Sequence, residues 1–237
     1  MPTTILEGRE AEGGALHRVR LQGQAPHLAT HKQHGQYIEV RYDGGWKGHE
    51  DATIPAAVKG TFVLVSPPGA TSWELLVKEG GAMSDKLLKL PIGTELVTSD
   101  AHGKGFPYES AKGKPLVLAV TGSGIAAVLS LVAARIADGE PARTYMLYGV
   151  REKRDVSVNQ ELAAMRAAGV EVAICLSREH IDEPGYFKGY VQTVAADRKW
   201  KLDGGLLFAA GSRGMIEGLK GAATTLGLRE SDVVLNF

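Results

Sequence analysis

The feature that most constrains the fold is a strand, a glycine turn and a helix that follow one another near the middle of the chain. Residues 115–121 read Pro-Leu-Val-Leu-Ala-Val-Thr, an apolar run typical of a buried strand. Gly122-Ser123-Gly124 follows, and a helix of small side chains is predicted over residues 124–137. The glycines permit a tight turn and close approach of a phosphate, and free N–H groups at a helix start attract anions. A single G-x-G-x-x-A match is weak, because glycine-rich turns are common.

Composition excludes several classes of protein. The 27 basic and 27 acidic residues cancel, so nothing favours nucleic acid or an acidic membrane surface as a partner. The lone Cys175 cannot form an internal disulfide or hold a zinc ion or iron–sulfur cluster by itself, which favours a reducing compartment. Residues 1–12 are polar, and the most apolar stretch, residues 125–137, is too short to span a bilayer. We therefore expect a cytoplasmic protein.

The first half of the chain has short segments in which apolar residues alternate with polar ones. This period of two is typical of half-buried strands, and glycine and proline turns separate the segments. Many short strands predict a small antiparallel β-barrel. Strands are predicted over residues 15–21, 36–42, 61–65, 72–78 and, more weakly, 94–98, with one helix over 83–90 and a loop at 46–50.

The pattern changes after Pro107, where continuous apolar strands alternate with helices. This order is typical of a parallel sheet covered on both faces. The chain is therefore predicted to have a β-barrel domain over residues 1–107, a linker over 108–114 and an α/β domain over 115–237. The predicted strands are 116–121, 144–149, 170–177, 206–210 and 233–237, and the predicted helices are 124–137, 158–168 and 213–226.

A barrel followed by a parallel-sheet domain resembles the ferredoxin–NADP reductase superfamily over nearly the whole chain. The resemblance implies FAD on the barrel and NAD(P)H on the second domain. In that family an Arg-x-Tyr-Ser segment holds the flavin, and the matching residues are Gly60, Thr61, Phe62 and Val63. The resemblance implies flavin contacts from Phe62, Val63 and Leu64, with Phe62 in place of the tyrosine, while the arginine is replaced by Gly60.

A second flavin segment is the strand and glycine turn that precede the predicted helix at residue 83. Val77 and then Gly81-Ala82-Met83-Ser84 resemble the family's strand and Gly-x-x-Ser helix start. The resemblance implies that the N–H groups of residues 81–84 receive the flavin pyrophosphate and that Ser84 caps the helix. The residues themselves are equally those of an ordinary capped helix after a tight turn.

Dinucleotide binding is implied by matches in the second half of the chain. Thr121, Gly122, Ser123, Gly124 and Ile125 resemble the family's Gly-Thr-Gly-Ile-Ala-Pro turn. The end of the second strand carries no carboxylate, which disfavours an NAD-specific Rossmann dehydrogenase.

The residues implied for the 2′-phosphate of NADPH follow later strands. Arg151 lies in an aromatic-Gly-x-Arg segment, and Ser177-Arg178 with Tyr190 and Gln192 resembles the pattern of relatives that use NADPH. A guanidinium and a hydroxyl suit a phosphate dianion, and an aromatic ring suits adenine. The alternative is a surface Ser-Arg-Glu at a strand end.

Two departures concern the expected meeting point of nicotinamide and flavin. The family's Cys-Gly motif before a methionine matches Ala210, Gly211 and Met215, so the thiol is absent, and only Ser212 offers a speculative substitute. Some members end on an aromatic residue that covers the flavin, and Phe237 is a candidate for this catalytic position. A core residue of the last strand is the alternative for Phe237.

These features predict an FAD-dependent NAD(P)H oxidoreductase that passes hydride from NADPH, or from NADH, to the flavin. Its electron acceptor would be a separate protein or a small molecule, because no cysteine cluster holds an iron–sulfur centre. The alternative is a non-catalytic nucleotide-sensing or partner-binding protein with the same fold. His27, His31 and His34 lie in a segment predicted to be a polar loop, and no metal site is expected there.

Overall fold

The computed structural model describes residues 2–42, 58–198, 200 and 202–236 of the 237-residue chain. The predicted loop at residues 46–50 and the terminal Phe237 lie outside the described residues. The strands form two six-stranded sheets, the first from residues 3–98 and the second from residues 116–235.

The first sheet is antiparallel, with strand order β4-β3-β6-β1-β2-β5. Among the described residues, one isolated bridge between Leu64 and Leu75 joins the two edges, so the described part of the sheet is barrel-like without a continuous closing ladder. The predicted barrel architecture is confirmed in this form. The strands are β1 (Thr3–Gly13), β2 (Leu16–Gly23), β3 (Tyr37–Tyr42), β4 (Val58–Val63), β5 (Trp73–Lys78) and β6 (Glu95–Thr98), with helices α1 (Ala25–Leu28) and α2 (Ala82–Lys89).

Alternating apolar residues form the core of this sheet, as the period of two predicts. In β3, Ile38 and Val40 are fully buried, and Trp73 at the start of β5 is likewise buried. β1 was not predicted, because Thr4 and Leu6 are the only side chains of this strand that are buried. Two inward positions among eleven residues are too few to give a visible alternation.

The second sheet is parallel, with strand order β10-β9-β8-β7-β11-β12, and helices cover both faces. The central β7 is buried on both sides: Leu118 and Val120 face one apolar cluster, and Val117 and Ala119 face the other. The predicted α/β fold is confirmed. The strands are β7 (Leu116–Thr121), β8 (Thr144–Val150), β9 (Glu171–Leu176), β10 (Tyr186–Lys188), β11 (Leu206–Ala210) and β12 (Val233–Leu235).

The helices differ from the prediction in detail. The stretch predicted as one helix from residue 124 is a 3₁₀ turn (Gly122–Ala127) followed by an α-helix, and β10 and α6 were missed because both are short. Residues 108–114, predicted as a polar linker, contain a short helix whose Tyr108 is buried. The helices are α3 (Tyr108–Ala111), α4 (Leu129–Ala137), α5 (Asn159–Ala168), α6 (Val191–Asp197) and α7 (Arg213–Ala222).

The predicted loop around the histidines is present at His31 and His34, but the expectation that it is a solvated polar loop is wrong. His27 lies in α1, and His27, His31 and His34 are all at least nine-tenths buried. Each imidazole has a hydrogen-bond partner: Thr98 and Asp100 for His27, the Gln33 carbonyl for His31 and Ser130 for His34, although Nδ1 of His31 is buried without one. The described residues contain no group of three metal-ligating side chains and no helix long and apolar enough to cross a membrane.

Candidate functional site

A cleft of about 410 Å³ lies at the carboxyl edge of the parallel sheet. Strands β7, β8 and β9 end at this cleft, and the turn that follows β11 contributes to its wall. The carboxyl edge of a parallel sheet is where α/β proteins bind ligands, since the loops there converge on one place. Eight residues predicted for dinucleotide binding line it: Thr121, Gly122, Ser123, Arg151, Ser177, Tyr190, Gln192 and Met215.

The turn after β7 is built by close backbone contacts that only glycine permits. A Cβ on Gly211 would overlap Thr121 Oγ1, and a Cβ on Gly124 would lie 2.5 Å from the Ala210 carbonyl oxygen. Gly122 has φ +53°, in the left-handed region that favours glycine. Gly124, Gly211 and the buried Ile125 therefore shape the cleft from behind its wall and do not line it.

Ser212 lines the cleft, but its hydroxyl has a structural task. It is the N-cap of α7 and accepts a hydrogen bond from the Met215 N–H at 3.4 Å, while its own N–H donates to Thr121 Oγ1 at 3.3 Å. These bonds account for a serine at this position without any reactive role. The Ser212 hydroxyl is therefore fixed as a cap, and we do not assign it the role of the missing thiol.

Two arginines stand at the side of the cleft where a 2′-phosphate is expected. Arg151 lines the cleft and makes an ion pair with Asp155 at 3.4 Å. Arg178 is exposed and does not line the cleft, although its N–H donates to the Arg151 carbonyl at 2.9 Å. Tyr190 is 63% exposed at the rim, an unusual degree for a large apolar ring. Ser177 directly follows β9 and also lines the cleft.

Several lining residues were not predicted. Gly149 was identified only as the glycine of the aromatic-Gly-x-Arg segment and not as a site residue; a Cβ there would lie 2.6 Å from Val191 Cγ2, so the glycine keeps the floor of the cleft open. Cys175 also lies at the floor, where burial raises the pKa of the thiol to about 12 and keeps it protonated. Gly14 and Lys78 belong to the first half of the chain and also line the cleft. A local sequence pattern cannot predict contacts between residues that are so far apart in the chain.

Four side chains predicted to contact the flavin, two from each predicted flavin segment, lie in the core of the first sheet. Phe62, Leu64, Val77 and Met83 all belong to its apolar core. Val63 is partly buried and packs against the core of the second sheet. Only the backbone of the four core residues is therefore available to a ligand.

The position of the missing arginine is closed to any side chain. A Cβ on Gly60 would lie 2.9 Å from the Phe62 ring and 3.0 Å from Met83 Cβ. Since such approaches are shorter than real Cβ contacts, Gly60 cannot be replaced without moving its neighbours. The Phe62 ring therefore occupies the space that the first atoms of an arginine side chain at position 60 would need.

The start of α2 fits an anionic diphosphate. The N-cap is Gly81, so the prediction that Ser84 caps this helix is wrong: Ser84 lies inside its first turn. Within the described part of the chain, the N–H groups of Ala82, Met83 and Ser84 have no acceptor. Three unpaired donors at a helix start form an anion site.

An acidic side chain lies beside these donors. Asp85 in the first turn of α2 accepts the Gly80 N–H at 2.8 Å. Its carboxylate stabilises the helix start in the way an anion does. The donor set therefore fits the pyrophosphate of FAD, but the Asp85 charge would oppose it.

Comparison with known sequences finds proteins that are similar to part of this chain. The family model described as "Oxidoreductase NAD-binding domain" matches residues 118–221. Ferredoxin–NADP reductase B of Sorangium cellulosum is 31% identical over 152 residues, which are 62% of this chain and 62% of that protein. The sulfhydrogenase 2 gamma subunit of Pyrococcus furiosus is 26% identical over 99 residues, or 42% of this chain and 34% of the relative. The matches thus span less than two thirds of these relatives.

Solved structures share the whole fold at low identity. The Amycolatopsis cytochrome P450 reductase GcoB superposes on 99% of this chain and 68% of its own with a TM-score of 0.80, at 19% identity. A Neisseria gonorrhoeae ferredoxin NADP+ reductase with bound FAD and NADP gives a TM-score of 0.77 over 98% of this chain and 96% of its own, at 16% identity. At these identities the likeness shows the fold alone.

Proposed function

We propose that this chain is a flavin-dependent NAD(P)H oxidoreductase of the ferredoxin–NADP reductase superfamily and that it uses NADPH and FAD. The observation that carries the proposal is the cleft at the carboxyl edge of the parallel sheet. Residues from four separate stretches, represented by Ser123, Arg151, Ser177 and Tyr190, line one cavity there. The parallel sheet brings these segments together, and the groups that meet there, a guanidinium, hydroxyls and an exposed aromatic ring, are those that suit NADPH.

The residues of the cleft have distinct tasks toward the dinucleotide. The turn at Gly122 and Ser123 presents backbone to the pyrophosphate, because no bulky side chain intervenes. Arg151, Ser177 and the exposed Arg178 provide the cations and the hydroxyl that suit a 2′-phosphate. The exposed Tyr190 ring gives adenine an apolar face on which to stack.

The flavin would rest on the first sheet, with its pyrophosphate on the N–H groups of Ala82, Met83 and Ser84. When bound, FAD supplies the hydride-accepting ring and the onward transfer of electrons to an acceptor. The protein contributes position and the exclusion of water, and no side chain acid or base is required for a hydride to move between two rings. The acceptor is a separate protein or a small molecule.

Cofactor content tests the proposal most simply. Purified protein should be yellow, or should become yellow when FAD is added, and calorimetric titration should detect NADP+ binding. Since Gly60 supplies no side chain, FAD is expected to bind weakly and to be partly lost in purification. A colourless protein that FAD cannot reconstitute would refute the flavoenzyme. If such a protein still bound NADP+, it would be the non-catalytic nucleotide-binding alternative.

A further inference from the structure

The tip of the β1–β2 hairpin, residues 12–15, crosses from the first sheet to the nucleotide cleft of the second. Gly14 and Ala15 line the cleft. The Glu12 carbonyl accepts the Val158 N–H at 2.9 Å, a backbone hydrogen bond between segments almost 150 residues apart. The hairpin tip is thus joined directly to the segment that leads into α5.

Gly14 packs so closely against the backbone of Asp155 that a side chain would not fit between them. A Cβ on Gly14 would overlap the Asp155 carbonyl oxygen and would lie 2.6 Å from its carbonyl carbon. Gly14 also has φ +52°, so a side chain at this position is strained as well as crowded. Any residue other than glycine must push the hairpin tip and Asp155 apart.

Two further features hold the hairpin in this position. The Arg18 guanidinium, only 11% exposed, joins Glu12 and Glu74 of the first sheet to Glu161 of α5. Val158 adopts φ +52°, which is unfavourable for a β-branched residue and persists only where its surroundings hold it. Ion pairs, a backbone hydrogen bond and close packing therefore hold the hairpin tip against the segment that leads into α5.

Asp155 connects this contact to the cleft. Its carboxylate pairs with Arg151 Nε at 3.4 Å, and both residues line the cleft. We propose that the hairpin tip is a positioning element for dinucleotide binding: Gly14 sets the place of Asp155, and Asp155 holds Arg151 toward the phosphates. This role rests on the proposed function, and it makes the flavin-side sheet a determinant of nucleotide affinity.

The test measures NADP+ affinity by calorimetry in four variants. Gly14→Ala should weaken NADP+ by about tenfold, the scale of a misplaced charge-assisted phosphate contact. Gly8→Ala is the matched control, because Gly8 lies in β1, the strand that leads to the hairpin tip, and a Cβ added there would have nothing within 4 Å, so this variant should bind NADP+ as the wild type does. If the tip acts through Arg151, then Gly14→Ala should add no further loss in an Arg151→Ala background.

Each outcome has a defined meaning. Unchanged affinity in Gly14→Ala refutes the positioning role and leaves the proposed function intact. An additive loss in the double variant also refutes it, because the tip would then act independently of Arg151. Wild-type protein that binds no NADP+ refutes both proposals. If Gly14→Ala does not fold, Asp155→Asn replaces it: weaker NADP+ binding supports the proposal, and unchanged binding overturns it.

Discussion

Arg135 provides the sharpest test of how residues 108–114 are held to the second sheet. Its guanidinium is fully buried and donates to the carbonyls of Ala111 and Lys114, each at 2.9 Å, and to Thr144 Oγ1 at 3.0 Å. It also pairs with the Glu140 carboxylate, which is 18% exposed. Arg135→Met keeps the apolar stem and removes every donor, so these acceptors lose their partner.

Removal of one member of a buried ion pair costs about 3–5 kcal/mol, because the other charge remains buried without compensation. For a chain of this length we expect the melting temperature of Arg135→Met to fall by about 6–20 °C. Adding Glu140→Gln should recover part of the loss, since the unpaired charge is gone while the Gly113 N–H, which donates to Glu140 at 2.7 Å, keeps an acceptor.

The assay is thermal and urea unfolding followed by circular dichroism. Lys112→Met is a suitable control, because Lys112 is an exposed cation in the same segment, with surface ion pairs to Glu109 and Asp138 and an ammonium 5.1 Å from the centre of the Tyr108 ring. A loss for Arg135→Met no larger than that of the Lys112→Met control would refute the reasoning. It would mean that solvent replaces the guanidinium at little cost.

Three further predictions concern cofactors and pH. Arg178→Ala should weaken NADPH by about tenfold to a hundredfold and NADH little, and equal losses in calorimetric titrations would make this arginine merely structural. Asp85→Asn should tighten FAD about fivefold in a reconstitution titration, since a charge that opposes the pyrophosphate is removed, and unchanged affinity would place the pyrophosphate elsewhere. Burial, with a smaller effect of His31, lowers the pKa of His34 to about 4 beside Ser130 and the Tyr108 ring. As the pH falls below 6.5, the imidazole of the unfolded chain binds a proton that the folded protein does not bind until about pH 4. The free energy of unfolding should therefore fall by about 3 kcal/mol between pH 6.5 and pH 4, and urea unfolding of a His34→Asn variant should lack this loss.

The sequence predicted the architecture well where side-chain burial is periodic. The continuous apolar run of β7 and the alternation of β3 indicate two different kinds of sheet. A strand that is buried on both faces is apolar throughout, whereas a strand that is buried on one face is apolar at every second residue. β1 was not predicted as a strand because few of its side chains are buried in the core. The histidine segment was misread because polar side chains can be buried when their hydrogen bonds are satisfied, as His27 and His34 are.

The nucleotide half of the site was predictable because its motifs follow strands whose carboxyl ends meet at one sheet edge. The flavin half of the site was less predictable. Positions 60, 62 and 64 alternate along the chain and so share one inward face, where Phe62 and Leu64 are buried in the core. The contribution of Gly14 depends on a contact with Asp155, 141 positions away, which no local pattern encodes. Phe237, expected to cover the flavin, keeps that role as a prediction.

Transfer of hydride from NADPH to the bound flavin tests the central claim most directly. Protein reconstituted with FAD should be mixed anaerobically with NADPH in a stopped-flow spectrometer, and the absorbance of oxidised flavin followed. The proposed function predicts that this absorbance is lost, and that it is lost more slowly with NADPH deuterated at the transferred position of C4. Flavin-loaded protein whose spectrum NADPH leaves unchanged would contradict the account.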